Sequence, residues 1–341
     1  MVPENAATAC CTAAALTETV EAYFNPVSYL RRIEGLVVRL FASAAFISQC
    51  REYVMTLAAY DLNLIEHIRG VDHPESIGIG PAGEAYTSGT GCQVYRIDLE
   101  NNAAQQYATT AARCLGSAVD EAGNLYLAHT AGDVLRVTPE GAISQYATGP
   151  GGEPFMCTNY PAFDRAGNLY VSDSGDWSET INGRICRIAP GGGQAELWYP
   201  DPVDTPNAIA LDGEERFLYF VETFGSAIAR IEIKQDGTAG AFERVVHMPR
   251  HIPDGIAFDE QGRLWIACHR PDAIYVFDLS SRRLELFADD WRGEKLRGPT
   301  DVAFAGAQRD VLLAASLDNL VVHRFDDVGA RGLPLNHPAF P

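Results

Sequence analysis

The chain has 341 residues, 47% of them hydrophobic and 21% charged, with a formal charge of −19. This globular composition is long enough for a large core and argues against disorder. So acidic a surface repels nucleic acid and anionic membrane, which excludes both as default partners.

No run of 18 apolar residues occurs, so no membrane span is expected. The first residues, MVPENAATACC, lack a basic stretch followed by an apolar one and do not read as a signal peptide. Eight cysteines without a C-x-x-C pair fit reduced thiols in a cytoplasmic protein.

Residues 1–58 form a first expected unit, an N-terminal helical arm. Asn25 before Pro26 reads as a helix start. Leu30, Ile33, Val37, Leu40, Ala44, Ile47 and Val54 follow at helical spacing, an apolar stripe that needs cover. The cover is the main domain or a second copy of the chain, so a homodimer through this helix is one expectation.

Residues 59–341 are expected to form an all-β domain, a six-bladed β-propeller. One phrase recurs: a strand of small apolar residues, an acidic or Gly turn, and a strand with an aromatic. GSAVDEAGNLYLAH, YPAFDRAGNLYVSD, AIALDGEERFLYFVE and GIAFDEQGRLWIAC are clear copies. Aligned on the turn residue they give Gly80, Asp120, Asp164, Asp212, Asp259 and Ala305, spaced 40, 44, 48, 47 and 46. Six such units of four strands are the propeller signature. The segment Asn63–Ile68 is placed to supply the outermost strand of the last blade, closing the ring.

Five residues before each turn stand Glu75, Leu115, Asn159, Asn207, Asp254 and Thr300. In a propeller these positions face the central axis at one end. Glu75, Asn159, Asn207 and Asp254 offer oxygens with a total charge of −2 and no sulfur or imidazole. That chemistry suits a hard cation, Ca²⁺ first, with Mg²⁺, Mn²⁺ or Zn²⁺ as alternatives. Strand-two ends place His129, Asp173, Glu222 and His269 at the same end. His129 and His269 are candidate proton carriers. The loop carrying Asp176 and Trp177 overhangs the site.

Other motifs carry less. His247 and His251 have Pro249 between them, which breaks the helix a zinc pair would need. Gly78, Gly80 and Gly83 match G-x-G-x-x-G but lead into a strand rather than a helix. No G-x-S-x-G elbow and no Walker A motif occur.

The motifs H-P-E at Glu75, T-N-Y at Asn159, P-N-A at Asn207 and P-D-G at Asp254 resemble the SMP-30/gluconolactonase family of six-bladed propellers. Diisopropylfluorophosphatase and paraoxonase are wider relatives. The resemblance covers about residues 60–330 and implies a catalytic divalent metal on these four residues. It also implies hydrolysis of a lactone or ester, with Asp254 as general base or nucleophile and Asn159 beside metal and substrate. Where sugar lactonases carry R-x-N-D, this chain reads Cys157-Thr158-Asn159-Tyr160, next to Phe155 and Met156. A hydrophobic, non-sugar substrate is therefore expected. The alternatives are phosphotriesterase chemistry at the same metal, a strictosidine-synthase-like propeller that needs no metal, and a non-catalytic Ca-stabilised propeller that binds a partner.

Overall fold

The computed structural model describes residues 60–340 apart from 179 and 249. The helical arm expected over residues 1–58, and the boundary after it, lie outside the described residues.

Six antiparallel four-stranded sheets succeed one another along the chain. Their inner strands are Ile77–Ile79, Cys114–Val119, Thr158–Phe163, Pro206–Leu211, Ile252–Phe258 and Pro299–Ala305. Each inner strand touches the next, and the last touches the first, so they ring one axis. This is the expected six-bladed propeller. The second strands are Ala85–Ser88, Leu125–His129, Leu169–Asp173, Phe217–Glu222, Arg263–His269 and Val311–Ser316.

The recurring turn phrase has a local cause. The turn Asp accepts the backbone N–H four residues on, from Asp120 to Asn124, Asp164 to Asn168, Asp212 to Arg216 and Asp259 to Arg263. Its second oxygen accepts the Tyr126 hydroxyl or the Trp265 indole N–H, each at 3.0 Å. The carboxylate thus closes the hairpin and anchors the second-strand aromatic. Those aromatics fill the seams between blades edge-on: Tyr126 on Phe163 at 4.9 Å, Tyr219 on Phe258 at 5.1 Å, Trp265 on Phe304 at 5.3 Å.

The ring closes through the strand Glu66–Arg69, which pairs antiparallel with Val321–Phe325 as the fourth strand of blade six. Arg69 also pairs in parallel with Ala103 of blade one. Two histidines meet in this closure, His67 Nδ1 lying 3.1 Å from His323 Nδ1. His323 Nε2 is 2.7 Å from the Leu296 carbonyl, so it donates there and Nδ1 is left to accept from His67.

Burial pushes the His323 imidazole down to about 4. The native state therefore holds it neutral, while the unfolded chain protonates it below its ordinary value near 6.5. The resulting stability is complete above pH ~6.5 and is lost as pH falls toward 4, on the order of 3 kcal/mol over that window. Denaturant melts at pH 7 and 4.5 should show a steeper acid loss for wild type than for His323→Gln. Parallel profiles would refute it.

Candidate axial oxygen site

The site lies where the inner strands begin. In blades two to six the strand register slips at the ring position: between Cys114 and Ser117, Thr158 and Tyr160, Pro206 and Ile209, Pro253 and Ile256, and Pro299 and Asp301. A bulge leaves one residue out of the pairing and re-aims its side chain. Asn159, Asn207, Asp254 and Thr300 occupy such bulges, and Glu75 stands just before its strand. Together with Ser76, Gly116, Tyr160, Ala208 and Asp301 these residues line one small axial pocket.

The two amides are oriented by hydroxyls. Asn159 Nδ2 donates to Ser174 Oγ at 2.9 Å, and that hydroxyl donates to the Pro206 carbonyl at 2.8 Å. Asn207 Nδ2 donates to Thr223 Oγ1 at 3.3 Å, and Thr223 leans toward the Pro253 carbonyl at 3.5 Å. Each blade thereby fixes its amide against the next blade. Both Oδ1 atoms are left without a donor among the described residues.

The two carboxylates each keep one oxygen in the same condition. Glu75 Oε2 is paired with the Arg113 guanidinium, and Asp254 Oδ2 is 3.0 Å from His269 Nε2. Burial opposes the charged form of His269, but the hydrogen bond and charge of Asp254 outweigh it and raise its pKa. Burial lowers the pKa of Arg113, and the charge of Asp254 opposes that shift.

Beneath the ring lie two residues at the next register, Tyr160 and Asp301. The Tyr160 hydroxyl donates to Asp301 Oδ2 at 3.1 Å, and the Ile77 and Val302 amides donate to the same carboxyl group. Burial pushes Asp301 up to about 8, against the three donors that favour its charged form. Gly116 and Gly255 make room for this pair. A Cβ on Gly116 would lie 2.6 Å from the Tyr160 ring, and one on Gly255 would collide with Asp301.

Four donor-free side-chain oxygens from four blades, with two negative charges among them, fit a hard divalent cation. Among the described residues, no group of three or more His, Cys, Asp or Glu is placed to hold a metal. The amide oxygens of Asn159 and Asn207 are thus integral to any such site.

The other candidates from the sequence divide between exposed apolar side chains and framework. Met156, Trp177 and Phe224 are exposed apolar side chains, and Trp177 meets Phe224 at 5.6 Å. The Cys157 thiol is pushed up by burial. Phe155 is not a pocket residue but a core one, buried against Tyr126, Val134 and Phe163. Asp173 is fully buried, holds Arg184 and accepts the Cys157 amide at 2.7 Å, so it fixes the loop before Asn159. Glu222 is paired with Arg244. His129 accepts the Ala112 amide at Nε2, 3.0 Å, and meets Asp133 at Nδ1, 2.6 Å, so both nitrogens are engaged. Of the two histidines, His269 alone touches a ring carboxylate.

Arg113, Ser174, Thr223 and Asp301 were not anticipated. Thr130, Ser174 and Thr223 share one register after the second strand, a repeated hydroxyl that the sequence does display. Nothing local marks Arg113 or Asp301, which reach the pocket through the ring geometry.

A six-bladed propeller with an oxygen-lined axial pocket defines the class. Residues 88–317 match the family model described as SMP-30/Gluconolactonase/LRE-like region, and the chain belongs to that family. It is similar to Protein STRICTOSIDINE SYNTHASE-LIKE 13 of Arabidopsis thaliana, 28% identical over 44% of this chain and 40% of that protein. It is also similar to Lactonase drp35 of Staphylococcus saprophyticus, 22% identical over 55% of this chain and 59% of that one. The chain thus spans about half the length of these relatives. In fold it resembles a gluconolactonase from Xanthomonas campestris, with a TM-score of 0.66 at 18% identity, over 79% of this chain and 89% of that one.

Proposed function

We propose that the protein is a divalent-cation-dependent hydrolase of a lactone or ester with an apolar body. The observation that supports this reading is the set of four donor-free oxygens on Glu75, Asn159, Asn207 and Asp254, with Asp254 backed by His269. The name of Lactonase drp35 points to the same reaction class.

When bound, the cation supplies Lewis-acid polarisation of the substrate carbonyl. Ser174 and Thr223 keep the Asn159 and Asn207 oxygens aimed at the axis, so the pocket needs little rearrangement on loading. Asp254 Oδ1 takes the proton of the attacking water, and His269 at Oδ2 holds the carboxylate in position. Met156, Trp177 and Phe224 present the rim to an apolar substrate, and the Cys157 side chain stands where a sugar lactonase carries Arg. Ca²⁺ is the cation of choice for this donor set, with Mg²⁺, Mn²⁺ or Zn²⁺ as the comparison ions.

A panel of aromatic, aliphatic and sugar lactones and esters tests this, run on chelator-treated and Ca²⁺-restored protein. Expected is cation-dependent turnover with simple sugar lactones as poor substrates. Efficient gluconolactone hydrolysis without preference for apolar substrates would overturn the specificity.

A second reading rests on Arg113, whose guanidinium already neutralises Glu75: a propeller that works without a cation, like the strictosidine-synthase-like alternative. Turnover untouched by chelation, from protein that carries no metal, would favour it.

A further inference from the structure

Each of the four ring residues gives one polar atom to a partner, and one of those partners differs from the rest. Asn159 and Asn207 lean on the neutral hydroxyls of Ser174 and Thr223, and Asp254 on an imidazole that can lose its proton. Glu75 is paired with the Arg113 guanidinium, which is permanently charged.

Arg113 combines a fixed backbone with a loosely held side chain. It stands just before the inner strand Cys114–Val119, and its carbonyl accepts both the amide and the hydroxyl of Thr130, each at 2.9 Å. The side chain is 32% exposed, and Glu75 is its one hydrogen-bond partner among the described residues. Its Nε is buried and has no acceptor. A buried N–H without an acceptor costs stability, so this pose is not held by a full set of hydrogen bonds. The negative charge of Glu75 holds it, and the charge of Asp254 acts on the same guanidinium.

Glu75 does not depend on Arg113 for its place. Its carbonyl accepts the Thr300 hydroxyl at 2.7 Å, which ties it to blade six, and from that anchor it lines the pocket. With a divalent cation on the free oxygens, the two charges that hold the guanidinium are cancelled and the guanidinium is repelled. Turned out to solvent, its Nε regains a partner in water.

We infer that Arg113 is the resident counter-ion of the axial pocket and competes with a divalent cation for Glu75. Without the cation, the guanidinium offsets part of the ring's negative charge. With it, the side chain is released while the backbone stays on Thr130. The four oxygen ligands then bind the cation more weakly than their number and charge allow. The inference rests on the cation reading of the ring proposed above, and its test separates the two.

The test is calorimetric titration of Ca²⁺ into the chelator-treated full chain, as wild type, Arg113→Gln and Arg113→Lys, with circular dichroism confirming each fold. Arg113→Gln should bind Ca²⁺ about tenfold or more tightly than wild type, the scale of removing one like charge beside a divalent ion. It should also melt at a lower temperature without Ca²⁺ and gain more from Ca²⁺ than wild type does. Arg113→Lys keeps the charge and should bind as wild type. A second measurement needs no neutral variant. The Arg113 Nε–H resonance, assigned by its loss in Arg113→Lys, should exchange with water faster once Ca²⁺ is added. Equal or weaker Ca²⁺ binding by Arg113→Gln, or an Nε–H that Ca²⁺ leaves unmoved, would overturn the inference and leave the hydrolase reading standing. Binding by Arg113→Gln with none by wild type would uphold the counter-ion and overturn the cation-dependent hydrolase. No binding by any of the three would overturn both.

Discussion

Asp254→Asn is expected to retain the cation and to lose hydrolysis by a factor of about 10² or more, the usual scale for loss of a general base. The substitution keeps an oxygen on the ring but leaves it an amide oxygen, which cannot accept the proton at neutral pH. Asp254→Ala removes both, and is expected to abolish turnover and weaken cation binding together. Metal analysis and kinetics on the same preparations separate the two effects. The surroundings make the comparison clean. Asp254 sits on a bulge between Pro253 and Ile256, so its direction is set by backbone rather than by the charge being removed. If Asp254→Asn keeps near-normal activity, Asp254 serves as ligand alone and His269, 3.0 Å away, becomes the base. His129 does not share that alternative, since both its nitrogens are occupied by Ala112 and Asp133.

Ile68→Asp is expected to destabilise the fold by about 4 kcal/mol or more and to produce oligomers. Ile68 is fully buried in the cluster that includes Ile97, Leu313 and Val322. Truncating such a side chain costs ~2–5 kcal/mol, and an unpaired carboxylate in the same place adds its desolvation. Losing the Glu66–Arg69 strand also bares the edge Val321–Phe325, which then pairs with other chains. Denaturant unfolding and sedimentation would measure both effects, with Ile68→Val as the mild control at ~0.5–1.5 kcal/mol. A monomer of normal stability would show that the ring does not depend on this closure.

Much of the framework was legible because its cause is local and repeated. The turn Asp, the N–H four residues on and the aromatic of the next strand lie within one hairpin, so four clear copies and two degenerate ones, turning at Gly80 and Ala305, announce six blades. The same periodicity led to Glu75, Asn159, Asn207 and Asp254, since equivalent positions in a closed ring face one axis. The closing strand was legible for a complementary reason: a sixth unit ending after Phe325 left a strand missing, and Asn63–Ile68 was the apolar segment available to supply it.

The roles of individual side chains were less legible. Phe155, Asp173, Glu222 and His129 had the right residue types near the right register, yet their partners are Tyr126, Arg184, Arg244 and Asp133. These partners come from other strands and blades or from the far side of a turn, and no spacing rule identifies them.

The all-β class, the number of blades, the closing strand and the four axial oxygen residues are readable from the residues alone, because each follows from a repeat that acts within one hairpin or counts around one ring. Which atoms of those residues are free is set by packing in the assembled ring. That depends on Ser174 and Thr223 reaching the amides of Asn159 and Asn207, and on Arg113 and His269 taking one oxygen from each carboxylate. Packing also set Tyr160 against Asp301 beneath the ring, and Leu333, Asn336 and His337 against carbonyls of three inner strands. Such facts are set by packing between distant segments, where the bulk of one side chain and the gap left by another become defined only when the ring closes.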